Sequence, residues 1–263
     1  MRILEKTPTD RLFCVAVIQA RRGSSRLPDK ILKPLDGTPV LARVIDRCQK
    51  IDGVDQVICA IPDDNYNDAV AELALACGAK VSRGSEQDVL ARYMGAVQDI
   101  NCTYVMRVTS DCPLLDPAVC ATLLKDVHEQ KTAYGVTVGW PHGLDCEVFT
   151  RDVLVEAYSK ATHPNDREHV TLWMKRHCEG RDLFLEPDQN YTGEHRWVLD
   201  YPEDLAFLEV LVPMLPKFPA VMGWRDVVGV VNKNPQIKVL NQAKIKEWAQ
   251  KNNAIYADVA DAD

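Results

Sequence analysis

The first 130 residues alternate between short β-branched apolar runs and stretches with apolar residues three and four apart, and few folds accommodate that alternation. "FCVAVIQA", "VDQVICAI", "AKVSR" and "YVMRVTS" read as strands. The intervening sets Leu41, Val44, Ile45, Cys48, then Val70, Leu73, Ala74, Cys77, then Val89, Leu90, Tyr93, Met94, Val97 read as amphipathic helices. A further helix is predicted from about Pro117 to Glu129, opened by Asp116 as N-cap with proline at its first position. Strand and helix in turn imply α/β architecture with crossover helices on a parallel sheet. From about 134 to 195 the rhythm loosens: "YGVTVGW", "CEVFT" and "LFLEP" mix with two helical segments, as in an insertion covering one sheet edge. "RWVLD" is expected to resume the sheet and Pro202 to begin a helix. The chain is therefore expected to form a single domain over 12–241, with the insertion at about 134–195. A tail over 242–263 ends in the small, acidic "ADVADAD" and is expected to fray.

A chain of 263 residues, 46% hydrophobic and 26% charged, can bury a sizeable core. Its net charge of −7 argues against broad nucleic-acid or anionic-membrane binding, since both use an excess of positive surface. The opening "MRILEKTPTD" lacks a long apolar stretch, and no later segment has the eighteen or so apolar residues needed to span a bilayer. A cytoplasmic protein is expected. The nine cysteines, several on apolar faces (Cys14, Cys48, Cys59, Cys77), read as reduced core residues, and with no CxxC or HExxH a zinc site is not expected.

Against that acidic background, residues 21–33 carry five basic side chains (Arg21, Arg22, Arg26, Lys30, Lys33) and one acid, Asp29. The stretch "QARRGSSRLPDKIL" is neither a GxGxxG nor a GxxxxGK[ST] loop. It does follow a buried strand, and so lies at the C-terminal sheet edge where open α/β folds bind ligands. Gly23 permits close backbone approach, the serines add hydroxyls, and Arg21 and Lys30 are suited to clamp a polyphosphate. "VMRVTSDCPLLD" ends a strand in Asp111 at that same edge, and "RWVLDYPEDLAFL" places Asp200 just before a helix. Two carboxylates beside a polyphosphate suit Mg²⁺, which prefers oxygen ligands and completes its shell with phosphate and water. Asp204, further along, is expected to face solvent or cap a neighbour. Asp63, Asp64 and Glu86 read as capping or solvated residues.

"QARRGSSRLPDKIL" resembles the nucleotide loop of the spore-coat polysaccharide cytidylyltransferase family, related to the 3-deoxy-manno-octulosonate and acylneuraminate cytidylyltransferases, whose pattern it fills without departure. The resemblance continues through "GWRDVVGVVNKNPQIKVLN" to about Asn241, although Ser110 stands where the family more often has glycine. It implies a three-layer α/β, nucleotide-diphospho-sugar transferase-like mixed sheet with a β-rich insertion. It also implies Mg²⁺-dependent transfer of CMP from CTP to an acidic or amino sugar-type acceptor, with release of pyrophosphate, in surface polysaccharide or glycoconjugate biosynthesis. Asp111 and Asp200 would hold the metal, with Arg21 and Lys30 acting beside them in catalysis. Ala20, Arg21, Gly23, Ser24, Lys30, Ala60, Arg83, Ser85 and Ser110 would border the nucleotide. By the same resemblance "HGLDCEVF" and "NDREHVT" shape the acceptor pocket through Asp145, Glu147, Arg167 and His169. Those side chains could equally form a buried network holding the insertion together, and both readings stay open. A homodimer is implied by likeness to the acylneuraminate enzymes. The rival functions are a glycosyltransferase consuming a nucleotide sugar and a catalytically silent nucleotide-binding scaffold.

Overall fold

The computed structural model describes residues 12–250. Strand β1 (Cys14–Gln19) lies in the middle of a seven-stranded sheet, because its side chains are apolar on both faces and Cys14 through Ile18 are completely buried. A two-residue hairpin, β2 (Pro34–Leu35) and β3 (Thr38–Pro39), stands apart from that sheet. The other strands are β4 (Val54–Pro62), β5 (Lys80–Gly84), β6 (Tyr104–Thr109), β7 (Tyr134–Thr137), β8 (Glu147–Thr150) and β9 (Asp182–Leu185). They are ordered β5-β4-β1-β6-β8-β7-β9. The β5-β4-β1-β6 half is parallel, whereas β8 runs antiparallel to both β6 and β7.

The period-two alternation of β1 sorts the helices into two layers. Cys14, Ala16 and Ile18 pack with α1 (Val40–Gln49), α2 (Asp68–Ala76) and α4 (Pro117–Gln130). Val15 and Val17 pack on the other face with α3 (Val89–Val97), α5 (Arg151–Lys160) and α7 (Leu172–His177). Each fully buried Val or Ile contributes roughly 1.5–3 kcal/mol, so the β1 run pins the sheet between these layers. Helix starts follow local chemistry: Asp88 accepts from the Ala91 N–H at 2.9 Å, and Asp116 from the Ala118 N–H at 2.8 Å. Eight cysteines are buried and Cys77 partly so; all nine are unpaired thiols. Among the described residues no helix is long and apolar enough to cross a membrane.

Two expectations need correcting. "RWVLD" is extended but does not rejoin the ladder; Arg196 makes only an isolated bridge to His142. Backbone bonds hold the segment instead, from Trp197 N–H to His142 C=O at 2.7 Å and from Leu199 N–H to Asp111 C=O at 2.8 Å. Gly143 makes this approach possible: at φ +108° any Cβ would stand 2.9 Å from the Trp197 carbonyl carbon. The residues after Gln242 do not fray at once. Residues 242–250 are helical, and the Trp248 ring stacks on His142 at 4.0 Å. The "ADVADAD" end lies outside the described residues.

Candidate active site

The basic loop leaves β1 with the Ala20 N–H still donating to the Ala60 carbonyl at 3.1 Å, so the ladder delivers both residues to one edge. Arg22 then grips Asp29 through Nε and Nη2 at 2.8 and 3.1 Å, which fixes Asp29 in a left-handed conformation at φ 55°. The fully buried Ile31 anchors the next turn, Lys30–Leu32, in the core. With its neighbours tied on both sides, Lys30 is directed across the edge. Its Nζ lies 2.6 Å from Asp111 Oδ2 and 2.7 Å from Asp200 Oδ1.

The aspartates reach that point by different routes. Asp111 follows β6 directly, and the Ser110 N–H before it donates to Gln19 at the end of β1 at 3.2 Å. Asp200 is set by the bond between Leu199 and Asp111 and by what lies beneath it. Asp204, in α8 (Pro202–Leu211), is fully buried rather than solvent-facing. It accepts from the N–H groups of Asp200 and Tyr201 at 3.0 and 3.1 Å and pairs with the buried Arg196 at 2.8 Å. Arg196 in turn lies 3.2 Å from Asp200, so a capping carboxylate and its arginine form the platform for the site. Burial disfavours the Asp111 carboxylate, but the Lys30 ammonium overcomes this and holds its pKa well below the ordinary value. Burial likewise opposes the Lys30 charge, which Asp111 and Asp200 more than restore.

The donor set suits a hard divalent cation. One oxygen from each aspartate converges on a single cationic atom, and among the described residues no group of three or more His, Cys, Asp or Glu makes a closed cage. Such a site leaves the remaining coordination positions to phosphate oxygens and water, as Mg²⁺ commonly requires.

The other nucleotide candidates lie in the basic loop and at the end of β5. Arg21 is half-exposed, with Nη1 3.5 Å from Glu86. Gly23 has room for a Cβ, its nearest neighbour being Glu86 Oε1 at 3.6 Å. Ser24 Oγ accepts from the Leu27 N–H at 3.3 Å. Arg83 and Ser85 lie at and just beyond the end of β5; Arg83 binds Asp68 at 2.6 Å, and Ser85 accepts from the Asp88 N–H at 3.0 Å. Asp64 caps the turn at Asn67, in keeping with its capping reading.

From Asp111 and Asp200 a cavity of about 1030 Å³ runs over the β8-β7-β9 half of the sheet. Asp145, Glu147 and His169 line it, but in different states. Asp145 is mostly exposed at 57%, whereas Glu147 is buried at 6%. The antiparallel register sets Glu147 directly opposite Arg107, whose Nη1 is 2.5 Å away. Tyr134 and Thr171 donate to the same carboxylate at 2.5 and 2.9 Å, and Lys175 lies 3.1 Å from it. Burial raises the cost of that charge, yet Lys175 and Arg107 leave the carboxyl well below its usual range. For Arg167 the network alternative is the one seen: it is bound to Asp88 at 2.5 Å, joining α6 (Pro164–His169) to the start of α3. The arginine and lysine that do line the cavity, Arg107 and Lys175, were missed from sequence. The signal was present, since an arginine inside the apolar "VMRVT" demands a buried counter-charge.

A parallel sheet that brings a basic loop and two carboxylates to one edge, with a deep cavity beyond them, is the arrangement of a nucleotidyltransferase. A cytidylyltransferase family model matches residues 15–253, and the chain belongs to that family. Among its relatives, the spore coat polysaccharide biosynthesis protein SpsF of Bacillus subtilis is 27% identical over 86% of this chain and 97% of its own length. A 3-deoxy-manno-octulosonate cytidylyltransferase of Chromohalobacter salexigens is 32% identical over 65% of this chain and 69% of its own length. The solved cytidylyltransferase of Leptospira borgpetersenii serovar Hardjo-bovis superposes with a TM-score of 0.80 at 26% identity, covering 86% of this chain and 96% of that one.

Proposed function

We propose that the protein transfers CMP from CTP to an acidic or amino sugar-type acceptor in an Mg²⁺-dependent reaction, releasing pyrophosphate, and serves surface polysaccharide or glycoconjugate biosynthesis in the cytoplasm. The observation that carries this reading is the convergence of Asp111 and Asp200 where the basic loop meets the 1030 Å³ cavity. Ala20, Gly23, Ser24, Ala60 and Ser110 border the nucleotide with backbone and small side chains, while Arg83 and Ser85 flank base and ribose. Arg21 and Lys30 neutralise the departing pyrophosphate, which concentrates charge as the bond breaks. Asp111 and Asp200 hold the metal, whose positive charge when bound offsets that of the phosphate oxygens. The acceptor lies in the cavity, with Asp145, Glu147 and His169 toward its hydroxyl or amino donors. Arg107 and Lys175 stand where an acidic group would be met. This chemistry asks for position and charge and needs no covalent nucleophile. The names of SpsF and of the 3-deoxy-manno-octulosonate enzymes support the biosynthetic setting. A homodimer is part of the same proposal.

The test is to incubate the protein with CTP, Mg²⁺ and a panel of acidic and amino sugars, following pyrophosphate by coupled assay and CMP-linked product by mass spectrometry. Acceptor-dependent pyrophosphate release is expected. Consumption of a nucleotide sugar without pyrophosphate would establish a glycosyltransferase instead, and binding without turnover a scaffold.

A further inference from the structure

The atom that satisfies both site aspartates is the Lys30 nitrogen, only 2.6 and 2.7 Å from them. The backbone carrying it is tied by the Arg22–Asp29 clamp and the buried Ile31, so the movable part is the four-carbon side chain. Nearby cations cannot readily take its place. Arg196 is committed to Asp204 through Nε and Nη2 at 2.8 and 2.9 Å and meets Asp200 at its other oxygen, Oδ2, at 3.2 Å, and Arg26 is half-exposed at 3.7 Å from Asp200. Two converging carboxylates repel unless a cation lies between them. An ammonium and a divalent ion cannot share that point, because both need the same oxygens and repel each other at contact distance.

Resting on the metal assignment under Proposed function, we infer that Lys30 is a stand-in cation that makes metal and nucleotide binding depend on one another. With the site empty it neutralises Asp111 and Asp200. An ion arriving alone must eject the ammonium from its two anionic partners. When CTP arrives with the ion, the triphosphate offers Lys30 a new anionic partner, and the aspartates are released to the metal. The coupling is reciprocal by thermodynamic necessity: the nucleotide tightens the metal as much as the metal tightens the nucleotide. Lys30 thus sets the order of assembly as well as neutralising phosphate.

The experiment measures Mn²⁺ binding by water-proton relaxation for the wild-type protein, Lys30→Met and the double variant Lys30→Met/Asp111→Asn, without nucleotide and with a non-hydrolysable CTP analogue. Thermal unfolding of each confirms the fold and gives a second readout through its shift on adding Mn²⁺ alone. Without nucleotide, Lys30→Met is expected to bind Mn²⁺ about tenfold or more tightly than wild type, and to be stabilised thermally by Mn²⁺ where wild type is not. The double variant should lose that gain, which assigns it to the aspartates. Nucleotide should enhance Mn²⁺ binding more in wild type than in Lys30→Met. If wild type binds Mn²⁺ only with nucleotide and Lys30→Met gains nothing without it, the inference falls and the metal assignment stands. If no protein binds Mn²⁺ under either condition, both fall.

Discussion

The two halves of the sheet place function in different ways. In the parallel half, β5-β4-β1-β6, helices cover both faces and the candidate nucleotide residues sit at strand ends and in the loops that follow. In the β8-β7-β9 half one face borders the cavity, and its charged groups belong to ladder residues, Glu147 opening β8 and Asp182 opening β9, with Arg107 of the adjoining β6 paired to Glu147 across the ladder. A loop residue at a strand end can change without disturbing the ladder behind it. A charge within a strand cannot, since its partners belong to the packing. The comparison therefore teaches that the nucleotide edge separates chemistry from stability, whereas the cavity floor combines them.

The strongest test of that separation is at the aspartates. We predict that Asp111→Asn and Asp200→Asn each reduce pyrophosphate release from CTP by about two to three orders of magnitude, the scale of losing one electrostatic element of a transition state. Unfolding temperatures should stay close to wild type, because asparagine keeps the side chain's shape and one oxygen acceptor and Lys30 still pairs with the other aspartate. A variant that loses activity and stability together would break the comparison at its functional end.

Glu147 tests the other half. Glu147→Gln keeps the shape but removes the charge that Arg107 and Lys175 share, leaving Arg107 partly uncompensated in the strand next door. We predict a loss of about 2 kcal/mol in denaturant unfolding at pH 7, with any change in activity appearing in acceptor kinetics rather than CTP binding. The sign of the pH effect follows from the carboxyl being held below its ordinary value of 4.5. The folded state then binds fewer protons than the unfolded chain. The stabilisation is complete above about pH 4.5 and declines as pH falls, so the gap between wild type and variant should narrow in acid. A gap independent of pH would show that shape, not charge, holds the floor together.

The difference between the halves also explains what could be read from sequence. β1 was legible as a β-branched run apolar on both faces, with Val15 and Val17 toward one layer and Ala16 and Ile18 toward the other, and its flanking helices by their hydrophobic period. Lys30 and Asp111 could be placed together because loops after parallel strands share one edge; Asp200 comes there by an irregular segment, through the Leu199–Asp111 backbone bond. The insertion's strands were legible too, as β7, β8 and β9, but their pairing was not, since "YGVTVGW" and "CEVFT" carry no information about their partners. Only the antiparallel β6–β8 register reveals that Arg107 faces Glu147. Asp204 was legible as a cap but not as a buried one, for a related reason. Its burial depends on Arg196, eight residues earlier, and an irregular segment between them has no period to bring the two together. Trp248 reaches His142 across more than a hundred residues, a contact no local pattern announces.

The smallest predicted effect concerns Arg167, and it decides where the cavity half ends. Its guanidinium binds Asp88 at 2.5 and 2.9 Å, donates to the Tyr158 carbonyl at 2.8 Å and lies 4.9 Å from the Tyr158 ring centre. Asp88 also caps α3, so the pair joins two helices. Both side chains are partly solvated, at 23% and 30% exposure, and water weakens such a pair. We predict that Arg167→Ala costs about 1 kcal/mol of stability and leaves the KM values for CTP and acceptor within about twofold of wild type. Thermal unfolding and initial-rate kinetics on one preparation measure both. An acceptor KM raised tenfold with stability unchanged would return Arg167 to the pocket.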